Sequence, residues 1–104
     1  MKQKIYLITG LMASGKSTVS DLLAKSIEKC VHLRGDVFRK MIISGRENMS
    51  ATPSAEAVRQ LYLRYKLTAD AARSYFDNGF SVVIQDNYYG DELNRMINYL
   101  HKYP

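Results

Sequence analysis

Hydrophobic and polar positions change their spacing several times along the chain, and each change predicts a new element of secondary structure. Short, largely apolar runs predict three strands, at residues 4–9, 30–33 and 81–85. Apolar positions three and four apart predict four helices, at residues 16–29, 37–44, 53–78 and 91–101. The third strand is rich in β-branched residues, which predicts burial on both faces. This order of elements is typical of an α/β fold with a parallel sheet.

The third and longest predicted helix has signals at both ends. Thr52 is the expected capping residue, Pro53 the first helical residue, and Glu56 lies in the first turn near the positive end of the helix dipole. Asn78 and Gly79 follow its apolar stripe, and a glycine there favours a left-handed residue that ends the helix. We therefore predict a helix stop at this dipeptide rather than a hairpin turn.

Residues 10–17 fit the pattern G-x-x-x-x-G-K-[ST] in full, between a predicted strand and a predicted helix. Glycines let such a loop curl so that its N–H groups surround an anion, and the following helix adds its positive N-terminus. Lys16 would then bind the β- and γ-phosphates of a nucleotide, and the Ser17 hydroxyl would bind Mg²⁺. The predicted phosphate-binding residues are Gly10, Ala13, Ser14, Gly15, Lys16, Ser17 and Thr18. The alternative is a glycine-rich turn with an incidental lysine.

Two aspartates directly follow predicted strands. The carboxyl ends of parallel strands are where open α/β sheets bind ligands, so we expect Asp36 and Asp86 to face the glycine-rich loop. The alternatives are a helix N-cap for Asp36 and a strand-end turn residue for Asp86. Arg39 lies one helical turn beyond Asp36 and could bind an anionic group of a substrate or a phosphate. A plain surface arginine is an equal alternative.

Three stretches carry a resemblance to a known family. They are Ile8-Thr9-Gly10 leading into Gly15-Lys16-Ser17-Thr18, then Arg34-Gly35-Asp36, then Val82-Val83-Ile84-Gln85-Asp86. In these the chain resembles the small P-loop kinases, above all the chloramphenicol-phosphotransferase-like and zeta-toxin-like phosphotransferases. The resemblance implies a three-layer P-loop fold, with ATP and Mg²⁺ as cofactors. It also implies that Asp36 orients the acceptor hydroxyl and takes its proton, and that Asp86 holds a Mg²⁺-bound water or the Ser17 hydroxyl.

The same resemblance implies five parallel strands in the order 2-3-1-4-5, of which this sequence contains three. We therefore expect residues 1–104 to form a single nucleotide-binding domain with strand order 2-3-1, ending before the fourth strand. The first strand would then be an open edge. We therefore expect either that the chain is the N-terminal portion of a longer kinase or that another copy of the chain covers this edge. The lid and the adenine-binding loop of the resembling kinases cannot be mapped onto the sequence.

Composition and charge indicate the kind of surface and compartment but do not identify a substrate. The 104 residues carry a net charge of +5, but the basic residues do not cluster, so we expect a solvated surface that includes Arg59, Arg64 and Arg73. The single cysteine, Cys30, excludes an internal disulfide and favours a reducing compartment. No apolar run is long enough to span a membrane. A cytoplasmic protein without a membrane partner is therefore expected.

The function expected from these features is that of a Mg²⁺-dependent kinase, which moves the γ-phosphate of ATP to a hydroxyl of a small molecule. Lys16, Asp36 and Arg39 would be catalytic, and Ser17 and Asp86 would hold the metal. One alternative is a polynucleotide 5′-hydroxyl kinase, which the positive charge favours although no basic groove is visible. Another is a nucleotide-binding module without catalysis. The acceptor cannot be identified from the sequence.

Overall fold

The computed structural model describes residues 2–9, 16–88 and 91–101, excluding the side chains of Lys16 and Ser17. All three predicted strands and all four predicted helices are present. The strands are β1 (Ile5–Ile8), β2 (Cys30–Arg34) and β3 (Ser81–Gln85). The helices are α1 (Lys16–Lys25), α2 (Asp36–Lys40), α3 (Ala55–Asp77) and α4 (Glu92–His101).

The three strands form one parallel sheet in the order β1-β3-β2, which confirms the predicted order 2-3-1. Val82 of the central strand is level with Ile5 of β1 and with Val31 of β2. Val82, Val83 and Ile84 are all 0% exposed. Because successive side chains of a strand point to opposite faces, both faces of β3 are covered, as predicted. Helices α1 and α3 both pack on this strand.

Within the part of the chain that the structure describes, β1 has a strand neighbour on one side only. Ile5 and Leu7 of this strand line a groove of about 320 Å³ together with Arg73 of α3 and with Ile97, Leu100 and His101 of α4. The predicted apolar stripe of α4 is confirmed at Met96, which is fully buried. Thus the first strand lies at the sheet edge, as the sequence predicted.

The start of α3 differs from the prediction and its end agrees with it. The N-cap is Ser54, in extended backbone, whose hydroxyl accepts a hydrogen bond from the Ala57 N–H at 3.0 Å. Thr52 is therefore not the cap, because the serine two residues later satisfies a free N–H group of the first turn. At the other end Asn78 caps the helix and Gly79 has φ +96°, so the predicted helix stop is confirmed.

Helices α1 and α2 are shorter than their apolar spacing predicts. After Lys25 the Ser26 hydroxyl donates to the Leu23 carbonyl at 2.7 Å, and Lys29 has a positive φ of 52°, which does not continue a helix. Helix α2 has only five residues, with Gly35 at its N-cap position and Asp36 in its first turn. The N-cap alternative for Asp36 is therefore wrong.

Within residues 2–9, 16–88 and 91–101, no helix is long and apolar enough to cross a membrane.

The capping assignment can be tested with two neighbouring hydroxyl residues. Ser54→Ala should lower the free energy of unfolding by about 1 kcal/mol, because the Ala57 N–H loses its partner. Thr52→Ala is the matched control and should change it by less than about 0.5 kcal/mol. Urea denaturation of the two variants measures both values. A larger loss of stability in Thr52→Ala than in Ser54→Ala would show instead that Thr52 is the cap.

Candidate functional site

Backbone hydrogen bonds hold the carboxyl ends of the three strands together. The Gly35 N–H, just after β2, donates to the Gln85 carbonyl of β3 at 2.9 Å. The Asp86 N–H, just after β3, donates to the Ile8 carbonyl of β1 at 3.2 Å. These bonds place both aspartates at the edge where β1 leads toward residues 10–15. Asp36 and Asp86 thus lie at one edge of the sheet, and the loop that they are predicted to face lies outside the described residues.

A buried arginine from α3 joins the two aspartates. Arg64 is 8% exposed, and its Nε donates to Asp86 Oδ2 at 3.1 Å while its Nη2 donates to Asp86 Oδ1. Its Nη1 donates to Asp36 Oδ1 at 3.4 Å. The expectation that Arg64 belongs to the solvated surface is therefore wrong. Arg64 lies three residues after Leu61 and next to Tyr65, at the border of the apolar stripe, where a residue can face either solvent or core, so the spacing alone did not indicate its burial.

Asp86 is enclosed almost completely. Its side chain is 1% exposed, and Oδ1 also accepts the Asn87 N–H at 2.7 Å. Burial raises the pKa of Asp86, and the Arg64 guanidinium opposes that rise. Gly35 makes the enclosure possible, since a Cβ atom at that position would lie 1.9 Å from Asp86 Oδ2. The glycine is thus required by close approach and not by its backbone angles, which are helical.

Asp36 has a different environment from Asp86, because its side chain is 43% exposed. Its Oδ1 accepts from Arg39 Nε at 2.8 Å, and its Oδ2 lies 3.3 Å from Lys40 Nζ. Partial burial raises the pKa of Asp36, but the hydrogen bonds and charges of Arg39, Lys40 and Arg64 outweigh it and leave that pKa below its usual range. The carboxylate is therefore ionised at neutral pH and accessible from solvent.

The segment after α2 is fastened next to Asp36 by two side chains that the sequence analysis did not single out. Asn48 accepts a hydrogen bond from Arg39 Nη1 at 2.7 Å. Gln60 of α3, 7% exposed, accepts from the Glu47 N–H at 2.9 Å and donates to the Gly45 carbonyl at 2.8 Å. A buried glutamine gives no apolar periodic signal, and the partners of Gln60 are backbone atoms 15 and 13 residues away in the chain.

Two tyrosines that pack against each other support the backbone that follows Asp86. The Tyr65 hydroxyl donates to the Asn87 carbonyl at 2.7 Å, and its ring centroid lies 5.0 Å from that of Tyr88. Burial raises the pKa of both Tyr65 and Tyr88, so both hydroxyls are protonated at neutral pH. Since Tyr65 directly follows Arg64, one turn of α3 holds both the carboxylate and the chain after it.

The predicted phosphate-binding loop falls largely outside the described residues. Gly10, Ala13, Ser14 and Gly15 lie there, as do the side chains of Lys16 and Ser17. Thr18 is exposed on α1. The structure does describe the elements on both sides of the motif. The motif begins two residues after the end of β1 and includes the first two residues of α1.

Comparison with known proteins identifies the family. Residues 5–101 match the sequence model of a family described as an AAA domain, AAA_33. The chain belongs to this family. No curated protein was found to match the sequence. Its fold of three parallel strands with flanking helices is also found in several solved structures.

Three of these structures share the fold over nearly the whole chain. A candidate kinase from Chloroflexus aurantiacus matches with a TM-score of 0.70 at 22% identity, over 96% of this chain and 53% of that one. The protein APE1195 matches with a TM-score of 0.69 at 25% identity, over 97% and 57%. A chain of the Pnkp1/Rnl/Hen1 complex matches with a TM-score of 0.66 at 22% identity, over 97% and 32%. The AAA_33 chain thus spans between about a third and just over half of the length of these structures.

The close approach of Gly35 and Asp86 predicts a steric conflict. Gly35→Ala should lower the free energy of unfolding by about 1–3 kcal/mol, because the added methyl group meets a carboxylate that Arg64 holds in place. In an Asp86→Ala background the same change should cost less than about 1 kcal/mol, since the clashing oxygen is gone. Urea denaturation of the four proteins measures this coupling. Equal effects in both backgrounds would contradict it.

The cations around Asp36 predict an acid-sensitive contribution to stability. A carboxyl group whose pKa is lowered in the folded state stabilises the fold above its ordinary pKa of about 4, and this stabilisation is lost as the pH falls through the lowered value. Arg39→Gln should raise the pKa of Asp36 toward its ordinary value and reduce the loss of stability between pH 7 and pH 3. Carboxyl ¹³C NMR titration and urea denaturation measure both.

Arg59→Gln provides the matched control for this titration. Arg59 forms an equivalent ion pair with Glu56, three residues away on α3. Its removal should leave the pKa of Asp36 unchanged. An unchanged pKa of Asp36 in Arg39→Gln as well would show that Arg39 does not set it.

Proposed function

We propose that this chain is the nucleotide-binding part of a Mg²⁺-dependent kinase that transfers the γ-phosphate of ATP to a hydroxyl of a small molecule. The observation that carries the proposal is the meeting of two differently exposed carboxylates at the edge where β1 leads into the G-x-x-x-x-G-K-[ST] sequence. Membership of AAA_33 and the kinase-like fold support a kinase or nucleoside-triphosphatase role in general. Because the chain spans only part of the structures it matches, the activity of the whole protein belongs to the proposal.

On the nucleotide side, the N–H groups of residues 10–15 and Lys16 would hold the phosphates. Ser17 and Asp86 offer hydroxyl and carboxylate oxygens, the ligand types that Mg²⁺ prefers. Among the described contacts, Asp86 Oδ1 accepts two hydrogen bonds and Oδ2 accepts one. A carboxylate oxygen has two acceptor positions, so Oδ2 retains one that a Mg²⁺-bound water or the Ser17 hydroxyl could use. These features support an indirect metal role for Asp86.

On the acceptor side, Asp36 is proposed to orient the hydroxyl that receives the phosphate and to take its proton. Its half-exposed, ionised carboxylate supports this role. The lowered pKa makes Asp36 a weak base, which is compatible with phosphoryl transfer because that reaction depends mainly on positioning and charge stabilisation. Arg39, whose side chain is 25% exposed beside Asp36, would bind an anionic group of the acceptor or the transferring phosphate.

A polynucleotide 5′-hydroxyl is the second candidate acceptor. Arg39 and Lys40 lie beside Asp36 on α2 and could contact the phosphates of a nucleic acid strand. The Pnkp1/Rnl/Hen1 complex, which contains one of the structures similar in fold, is described as an RNA repair complex. An oligonucleotide with a free 5′-hydroxyl therefore belongs in any acceptor screen beside sugars and other small alcohols.

Nucleotide binding by the chain itself is the first experiment. Mg-ATP at about 100 times its dissociation constant should stabilise the chain by roughly 2.7 kcal/mol, a rise of several degrees in Tm. Lys16→Ala should abolish the rise, whereas Asp36→Asn should retain it because Asp36 belongs to the acceptor side. Thermal unfolding with and without Mg-ATP measures all three proteins.

Lys25→Ala is the matched control for Lys16→Ala. Lys25 lies on the same helix, with its side chain 72% exposed and paired with Asp21, away from the phosphate-binding sequence. This variant should keep the full stabilisation by Mg-ATP. Absence of stabilisation in the unmodified chain, or an equal loss in both lysine variants, would contradict a phosphate site at Lys16. A non-catalytic binding module would instead retain binding without turnover on any acceptor.

A further inference from the structure

Arg64 connects the two carboxylates that the proposed function places on opposite sides of the transferred phosphate. Its Nε and Nη2 donate to the two oxygens of Asp86, and its Nη1 donates to Asp36. All three nitrogens of the guanidinium are therefore engaged. The side chain is 9% exposed, so Arg64 is shielded from solvent and from a substrate that approaches the half-exposed Asp36.

We propose that Arg64 is a positioning residue, which fixes the acceptor-side carboxylate of Asp36 relative to the nucleotide-side carboxylate of Asp86. The inference rests on the proposed function for the names of the two sides. Arg64 acts through the aspartates and not on the transferring phosphate. Displacements of about 1 Å among reacting groups reduce rates strongly, so a rigid link between the two carboxylates has a direct effect on transfer.

The geometry requires an arginine. A guanidinium is planar and presents its donors in a rigid fork, so it can bond both oxygens of one carboxylate and still donate to another. A lysine ammonium is a point charge on a flexible chain and cannot hold this arrangement. The two ends of the link also differ in strength. Two nitrogens of Arg64 donate to the buried carboxylate of Asp86. A single nitrogen, Nη1, donates to Oδ1 of the half-exposed Asp36, at 3.4 Å.

This difference defines what each role would predict. With a purely structural ion pair, a change at residue 86 would reach Asp36 only through the direct charge interaction of the two carboxylates, with or without Arg64. A positioning link must transmit a larger change from residue 86 to Asp36 while residue 64 is arginine than when it is not. The two roles are therefore separable in the folded state, without reference to stability.

The test uses Arg64→Gln, Arg64→Lys and a control on the same helix. Thr68→Ala is the control, because Thr68 is equally buried one turn later and its hydroxyl bonds only the Arg64 backbone carbonyl among the described contacts. The first readout is the ¹³C signal of the Asp36 carboxyl in the ligand-free chain. Asp86→Asn should shift this signal most in the Arg64 and Thr68→Ala proteins and clearly less in Arg64→Gln and Arg64→Lys, where only the direct charge effect of residue 86 on Asp36 remains.

The second readout is phosphate release from Mg-ATP with water as the acceptor. Both Arg64 variants should lose at least about tenfold in kcat while the KM for ATP stays within about twofold, because the nucleotide is held mainly by residues 10–17. Thr68→Ala should change neither constant by more than about twofold. Arg64→Lys keeps the charge, so it serves where Arg64→Gln does not fold.

The outcomes separate this proposal from the proposed function. An Asp86→Asn shift at Asp36 that is equally large with and without Arg64 would overturn the positioning role, as would an unchanged kcat in a folded Arg64 variant. If the unmodified chain neither binds nor hydrolyses Mg-ATP, the proposed function fails. The carboxyl signals then decide alone whether Arg64 links the two aspartates.

Discussion

The buried ion pair between Arg64 and Asp86 is the contact to which the rest of the site is fitted. Removing two charges from water costs several kcal/mol each, and only good geometry with further hydrogen bonds offsets that cost. The surroundings supply these conditions, through the Asn87 N–H on one carboxylate oxygen and the bare Cα of Gly35 against the other. Asp36 accepts from the remaining guanidinium nitrogen. These contacts together fix how the ends of β2 and β3 lie against the middle of α3.

Helix α3 delivers this arrangement through a line of buried polar residues beside its apolar stripe. Gln60, Arg64 and Thr68 are four residues apart and each is less than a tenth exposed. Gln60 fastens the segment before the helix, Arg64 fastens the strand ends, and Thr68 bonds the backbone of its own helix. The neighbouring apolar positions, such as Leu61 and Tyr65, pack into the core. Helix α3 therefore packs into the core with its apolar side chains and forms the frame of the site with its buried polar ones.

The same frame gives its two carboxylates opposite properties. Asp86 is enclosed and burial raises its pKa, whereas Asp36 is half-exposed and surrounding cations lower its pKa. Environments that separate two like groups in this way are a common basis for distinct chemical roles within one site. An enclosed carboxylate suits a fixed second-layer contact to a metal, and an exposed ionised one suits a hydroxyl that arrives from solvent.

Periodicity and strand ends are local features, so the order and type of all seven elements, the parallel sheet and the placement of Asp36 and Asp86 at strand ends follow from the sequence alone. The ends of the elements follow less closely, since Ser54 rather than Thr52 accepts the free N–H of Ala57. The burial of Arg64 and the membership of Gln60 and Gly35 in the site become visible only in the folded chain. Their partners lie 22 residues away for Arg64 and 15 for Gln60, a separation that no helical period encodes. A charged residue next to an apolar stripe can face solvent or core. Arg64 faces the core because the buried carboxylate of Asp86 would be unpaired without it.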